Sequence, residues 1–398
     1  MAYDYGIPIP LLQFLGACVY GDAKAYYDAG LNDAERAELE GQGKQFAMGA
    51  WFYRYLHDVL PDAKQAEYRK IYQSRQLNAM RGGEQLKRLY RVLAAHGLRF
   101  VPIKGADLAY RLYPDAALRV FGDWDIWFNP DDCERALAVL AEDGWIPPEW
   151  YTDRHNAVIK SGRHHFSPHV RDEYILEPHF TLANFEGIDP REMWEYTEEY
   201  PAGEGERILS PEMNLLMLAR HAASQSYYHA QIPKLLTDAA MVLREGVDYT
   251  LLRDISARWH LPYPGDLFAA FPECFPADVI RDFGADTRKT TAFRNIFELR
   301  GNLGEQNGES LLLSRFEARG QVAGGVLTHI RAHNPDMIRR VYRLPKHGAW
   351  GRVAWSYLCW FSTRSLRAVC WMNKKGKLKD YAHMVESVES GSDLTRKD

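Results

Sequence analysis

The run Phe121-Gly122-Asp123-Trp124-Asp125-Ile126-Trp127-Phe128 sets two carboxylates two residues apart in an otherwise apolar stretch. On an extended strand, side chains at i and i+2 leave the same face about 6 to 7 Å apart. Asp123 and Asp125 therefore project together, while Trp124, Ile126 and Phe128 face the other way. Adjacent like charges repel unless something positive lies between them. A divalent cation resolves the conflict, and Mg²⁺ takes carboxylate oxygens together with phosphate oxygens. A solvated surface strand is the plain alternative. If the pair chelates an ion, changing either Asp to Asn should remove ion binding and leave the metal-free fold intact.

The surroundings favour the metal. Leu98 to Ile103 reads as a strand that runs through Lys104-Gly105 into an amphipathic helix, Ala106 to Tyr113. Gly105 permits close backbone approach, and Lys104 can supply charge to a phosphate group. Downstream, the strand Tyr174 to Leu182 carries Glu177 and His179 on one face, and a third carboxylate beside the first two would complete a two-metal phosphoryl-transfer site. Arg119 can reach phosphate oxygens or pair with Asp123. Lys234 and Asp238, one helical turn apart, are an i,i+4 ion pair or a substrate contact. His164, His165, His169 and His179 also invite a zinc hydrolase with Glu177 as base. No HExxH-like spacing supports it, His164 should point away from His165, and these read as ordinary strand histidines. No Gly-x-Gly-x-x-Gly, Walker A or Gly-x-Ser-x-Gly motif occurs.

Helices must position these strands. Asn32 is a suitable N-cap, Leu60-Pro61 interrupts the helical pattern, a second run starts near Ala63, and a third runs from Gly83 to His96-Gly97. Asn129-Pro130 opens a helix that continues to about Glu142 and ends at Gly144. The expected division is a helical region over 1–80, an α/β core over 81–185, a mainly helical domain over 186–337 and a separate segment over 338–398. The fold class is α+β, a mixed sheet with flanking helices embedded in a largely helical chain.

The 398 residues carry a net charge of −4 with 46% hydrophobic residues, which excludes wholesale disorder and argues against nucleic-acid binding by the whole chain. The five cysteines include no CxxC, and no apolar run reaches the roughly 18 residues of a membrane helix. The short apolar stretch Pro8 to Tyr20 lacks the basic flank of a signal peptide, so a cytoplasmic location is expected. Between Ile338 and Asp380, 11 Lys and Arg face one acid and interleave with Trp350, Trp355, Trp360 and Trp371. Packing against the body, an anionic membrane surface or another acidic partner would each suit that segment.

Taken in order, Ile103-Lys104-Gly105-Ala106-Asp107-Leu108, Leu118-Arg119, Asp123-Trp124-Asp125-Ile126 and Leu176-Glu177-Pro178-His179-Phe180 resemble the uncharacterised nucleotidyltransferase family of the polymerase-β-type superfamily. The resemblance covers roughly residues 30 to 260. It implies a nucleotidyltransferase core in which Asp123, Asp125 and Glu177 are catalytic and bind metal, two Mg²⁺ ions or Mn²⁺ in their place. Lys104, Gly105 and Arg119 would contact the nucleotide, ATP or another NTP. His179, Lys234 and Asp238 would lie near an acceptor whose identity is open. The wider superfamily usually has Gly-Gly or Gly-Ser where this chain has Lys104-Gly105, and more often Asp where it has Glu177. A catalytically degenerate binding module that docks a partner or membrane is the alternative.

Overall fold

A computed structural model of the chain describes residues 7–147, 164–185, 187–224 and 231–302. The basic, Trp-rich segment 338–398 lies outside them. Two compact units divide the chain, and the larger, Ile7–Ser224 with Ala230–Thr290, holds every element that bears on the site. The other unit is represented among the described residues only by 291–302.

Five helices open the larger unit: α1 (Ile9–Tyr20), α2 (Ala23–Gly30), α3 (Asp33–Gln45), α4 (Gly49–Leu56) and α5 (Asp62–Ala95). Asn32 caps α3 through its side chain, and Glu35 reaches back to the Asn32 amide, a reciprocal capping box. The expected break before Gly83 does not occur, because α5 is one helix of 34 residues. Gly82 and Gly83 lie inside it where Tyr110 packs closely, and a Cβ on Gly83 would come within 2.9 Å of the Tyr110 ring.

The sheet follows. β1 (Phe100–Ile103) leads to α6 (Gly105–Arg111), β2 (Trp124–Phe128) and α7 (Cys133–Glu142), and then to β3 (His169–Arg171) and β4 (Tyr174–His179). The spatial order is β1-β2-β4-β3, with β2 parallel to β4 and the other pairs antiparallel, so the sheet is mixed as expected. Phe100, Trp124, Ile126, Phe128 and Leu176 fill one face and pack with Leu86, Leu89 and Leu93 of α5 and Ala136 and Leu140 of α7. The other face is left for Asp125, Glu177 and His179.

One strand is shorter than its sequence suggests. The run Val120 to Phe128 is extended only from Trp124, because β1 ends at Ile103 opposite Asp125 and Lys104 then turns away into α6. Asp123 thus lies one residue before the ladder, not on it. The preceding segment is held elsewhere: the Trp51 indole donates to the Leu118 carbonyl at 3.0 Å.

Beyond the sheet come α8 (Pro190–Trp194), the hairpin of β5 (Thr197–Glu199) and β6 (Arg207–Leu209), α9 (Pro211–Ser224), α10 (Ile232–Leu243), α11 (Tyr249–Arg258), α12 (Pro264–Phe268), α13 (Ala277–Phe283) and α14 (Thr287–Asn302). Among the described residues, no helix is long and apolar enough to cross a membrane.

Candidate active site

Parallel pairing of β2 with β4 sets Asp125 directly beside Glu177 and Trp127 beside His179. Asp125 is only 3% exposed, yet it is well provided with partners. Its Oδ1 accepts from Lys104 Nζ at 2.9 Å and from His179 Nε2 at 2.8 Å. Burial opposes ionisation of Asp125, but the Lys104 ammonium and the His179 bond outweigh it and hold the carboxyl far below the usual range. Burial lowers His179 to about 4, so the ring is neutral at ordinary pH and donates through Nε2. Its Nδ1 is buried without a hydrogen-bond partner among the described residues.

Glu177 has the opposite environment. Burial, with Asp125 and Asp123 alongside, raises its carboxyl although His165 opposes the shift. Its Oε2 lies 3.9 Å from His165 Nε2 and 4.0 Å from His179 Nε2. Asp123 is half-buried and close enough to influence Glu177 and Lys234 electrostatically. It is therefore a neighbour of the pair from the loop, not its same-strand companion.

The histidines are arranged differently from the sequence expectation. The Phe166 amide donates to the Pro178 carbonyl at 2.8 Å, and the Phe180 amide donates to the His164 carbonyl at 3.1 Å. These bonds lay residues 164–166 along β4. The His164 ring lies edge-on to His165 at 4.7 Å between centroids and tilted against His179 at 5.3 Å, so it does not point away from the cluster. Burial beside the other imidazoles drives His164 down to about 2. His169 does behave as a satisfied strand histidine, bonded to the Ser167 carbonyl at 2.9 Å. His221 on α9 also belongs to this neighbourhood, lowered to about 3 by burial and by Lys104 and Lys234.

Lys104 and Gly105 form the turn between β1 and α6. Lys104 adopts φ 52° and ψ −123°, a conformation suited to glycine, and its side chain crosses to Asp125. Gly105 is needed for packing, since a Cβ there would come within 2.4 Å of the Phe121 ring.

Arg119 pairs with neither Asp123 nor Lys234's helical neighbourhood at large, but with one residue in it. Its Nε and Nη2 donate to Asp238 Oδ1 at 2.8 Å and Oδ2 at 2.7 Å, and Tyr113 donates to the same Oδ1 at 2.7 Å. Burial works against the Arg119 charge, but Asp238 raises its pKa overall. The expected Lys234–Asp238 ion pair is thus replaced by Arg119–Asp238. Lys234 is left half-buried and makes no ion pair among the described residues, its ammonium depressed by burial and by Arg119.

One ligand atom each from Asp125, Glu177 and His179 lies within 4.8 Å of the others. Two carboxylates and an imidazole fit a divalent ion that accepts oxygen and nitrogen, which covers Mg²⁺ with its preference for oxygen and Mn²⁺ with its tolerance of nitrogen. Sequence reasoning sets His164 and His165 aside as ordinary strand histidines and does not reach His221. Only the His164-His165 doublet gave a local signal, and its placement depends on strand pairing.

No curated protein and no solved structure matches the chain. The family model described as uncharacterised nucleotidyltransferase matches residues 53–264, more than half of the chain and the whole of this site. With the mixed sheet, the paired acids and the Lys-Gly turn all inside that span, the chain belongs to the uncharacterised nucleotidyltransferase family.

Proposed function

We propose that the chain transfers a nucleoside monophosphate from an NTP to a hydroxyl or phosphate acceptor and releases pyrophosphate. The observation that carries this reading is the registered pair Asp125 and Glu177 on parallel strands, with Asp123 at its edge and Lys104 facing it. Asp123, Asp125 and Glu177 would hold the divalent ions, Mg²⁺ or Mn²⁺. When bound, such ions neutralise triphosphate charge and acidify the acceptor oxygen.

The protein's own groups divide the remaining work. His179 fixes the orientation of Asp125 by donating to Oδ1. Glu177, whose carboxyl is raised and only partly buried, is placed to accept the acceptor's proton. Lys104 and Lys234 supply positive charge for the phosphates. Arg119 is a positioning residue: its Nε and Nη2 are taken by Asp238 and its Nη1 by the Val120 carbonyl, so it fixes the approach to Asp123. Tyr113 and Asp238 serve the same end.

Calorimetric titration of the full chain with each NTP, with and without Mg²⁺, tests the proposal. Binding that requires Mg²⁺ is the expected result. Failure of every NTP to bind would favour a degenerate docking module, and stoichiometric zinc in the purified protein would favour a hydrolase.

A further inference from the structure

Lys104 does something that a phosphate-binding turn does not require: it spends its charge on Asp125. The two side chains are 14% and 5% exposed, and their contact is 2.9 Å. With His179 Nε2 on the same Oδ1 at 2.8 Å, an ion bound to that oxygen would meet the Lys104 ammonium at close range. Two cations cannot share one buried carboxylate oxygen without strong repulsion in so little water. The backbone adds weight. At φ 52° and ψ −123° glycine is at ease and lysine is strained, so what the turn gains from this residue is its side chain.

Resting on the nucleotidyltransferase reading above, we infer that Lys104 is an internal competitor for the cation position at Asp125, so the site takes up its divalent ion together with a nucleotide's phosphate chain and not before it. Once displaced, the Lys104 ammonium needs another anion. The nearby acids Glu177 and Asp123 are wanted by the same ion, and Lys234 adds a second cation without an ion-pair partner among the described residues. A triphosphate supplies the missing negative charge. Nucleotide therefore raises ion affinity, and by reciprocity the ion raises nucleotide affinity by the same factor.

The test titrates the full chain calorimetrically with Mn²⁺ alone, and then with Mn²⁺ plus a non-hydrolysable ATP analogue. Lys104→Met removes the charge and keeps most of the length. Lys104→Gly removes the charge and relieves the backbone, so it folds even where Lys104→Met does not. Both should bind Mn²⁺ alone about tenfold more tightly than the native chain and lose most of the enhancement by nucleotide. Lys104→Arg, which keeps a cation over Asp125, should behave like the native chain. If the native chain binds the Mn²⁺–nucleotide complex but both charge-removing variants bind Mn²⁺ no more tightly, this inference fails alone. If the native chain binds no nucleotide in any condition, the functional reading fails with it.

Discussion

Two buried aspartates in this protein each face a cation, and they are treated in opposite ways. Asp238 is closed: Arg119 donates to both of its oxygens, Tyr113 adds a third bond, and the residue is 2% exposed. Asp125 is equally buried, but Lys104 and His179 crowd onto one oxygen while a second acid, Glu177, stands beside it. A bidentate guanidinium–carboxylate pair satisfies geometry and charge at once. An ammonium over a carboxylate cluster leaves charge unbalanced and can be exchanged. The first arrangement holds a helix to a loop, and the second, on the function proposed above, keeps a site open to a ligand.

The largest expected effect is on the closed pair. Asp238→Ala would leave the Arg119 guanidinium buried without a counter-charge, which costs about 3–5 kcal/mol of stability. Replacing both partners at once, Arg119→Met with Asp238→Leu, should recover most of that loss, because no buried charge then remains. Urea unfolding of the two proteins makes the comparison. A double variant as unstable as the single one would show that the clamp does more than satisfy its own charges.

Asp125→Asn should cost less. It strips the partner from Lys104, which destabilises by about 1–3 kcal/mol, but it also removes repulsion from Glu177 and leaves an amide that still accepts from His179. The expectation from sequence that either Asp→Asn change would leave the metal-free fold untouched therefore needs correction for Asp125. The same variant should abolish the rise in melting temperature that the proposed function predicts for the native chain with Mg²⁺ plus NTP by linkage. A thermal melt with and without ligand reads both effects.

What the sequence could and could not reveal follows the same division. The alternation through Trp124, Ile126 and Phe128 correctly marks the apolar face, and Gly144 follows the end of α7 as expected, but α7 starts at Cys133 and not at Pro130, because Asn129 accepts from the Asp131 amide in a turn that precedes the helix. Four features depend on contacts far apart in the chain. Arg119 meets Asp238 across 119 residues. β2 starts late because β1 has ended. His164 joins the cluster through backbone bonds to β4. α5 continues through two glycines because Tyr110 fills the space beside them. The types of the site residues and the approach of Glu177 to Asp125 were legible, and the ion pairs around them were not.

A smaller effect separates the histidines of the cluster from those outside it. His164 and His179 are held near pKa 2 and 4 in the folded chain, against about 6.5 when unfolded. Below pH 6.5 the unfolded chain therefore binds more protons, and stability falls as pH drops through that window. Above pH 6.5 these groups contribute no slope. His164→Asn should make the fall between pH 6.5 and about 4 shallower by up to one proton, read as the slope of unfolding free energy against pH. An unchanged slope would mean that His164 titrates normally and lies in water.

The smallest effect on stability belongs to Asp123, and it is the most discriminating. Asp123 lies outside the β2 ladder, is half-buried, and has no hydrogen bond or ion pair among the described residues. Asp123→Asn should therefore change ligand-free stability by no more than about 0.5 kcal/mol, as for other substitutions that break no specific contact. It also removes one of the charges that raise the Glu177 carboxyl, which offsets any lost solvation. Should Asp123 complete the ion's ligand set, the silent substitution would still remove the Mg²⁺-plus-NTP shift in melting temperature as fully as Asp125→Asn does. A retained shift would confine the ligands to Asp125, Glu177 and His179, with the His179 proton moved to Nδ1 so that Nε2, which faces both acids, can bind the ion. The centre would then favour Mn²⁺ over Mg²⁺, since a nitrogen donor suits the softer of the two ions.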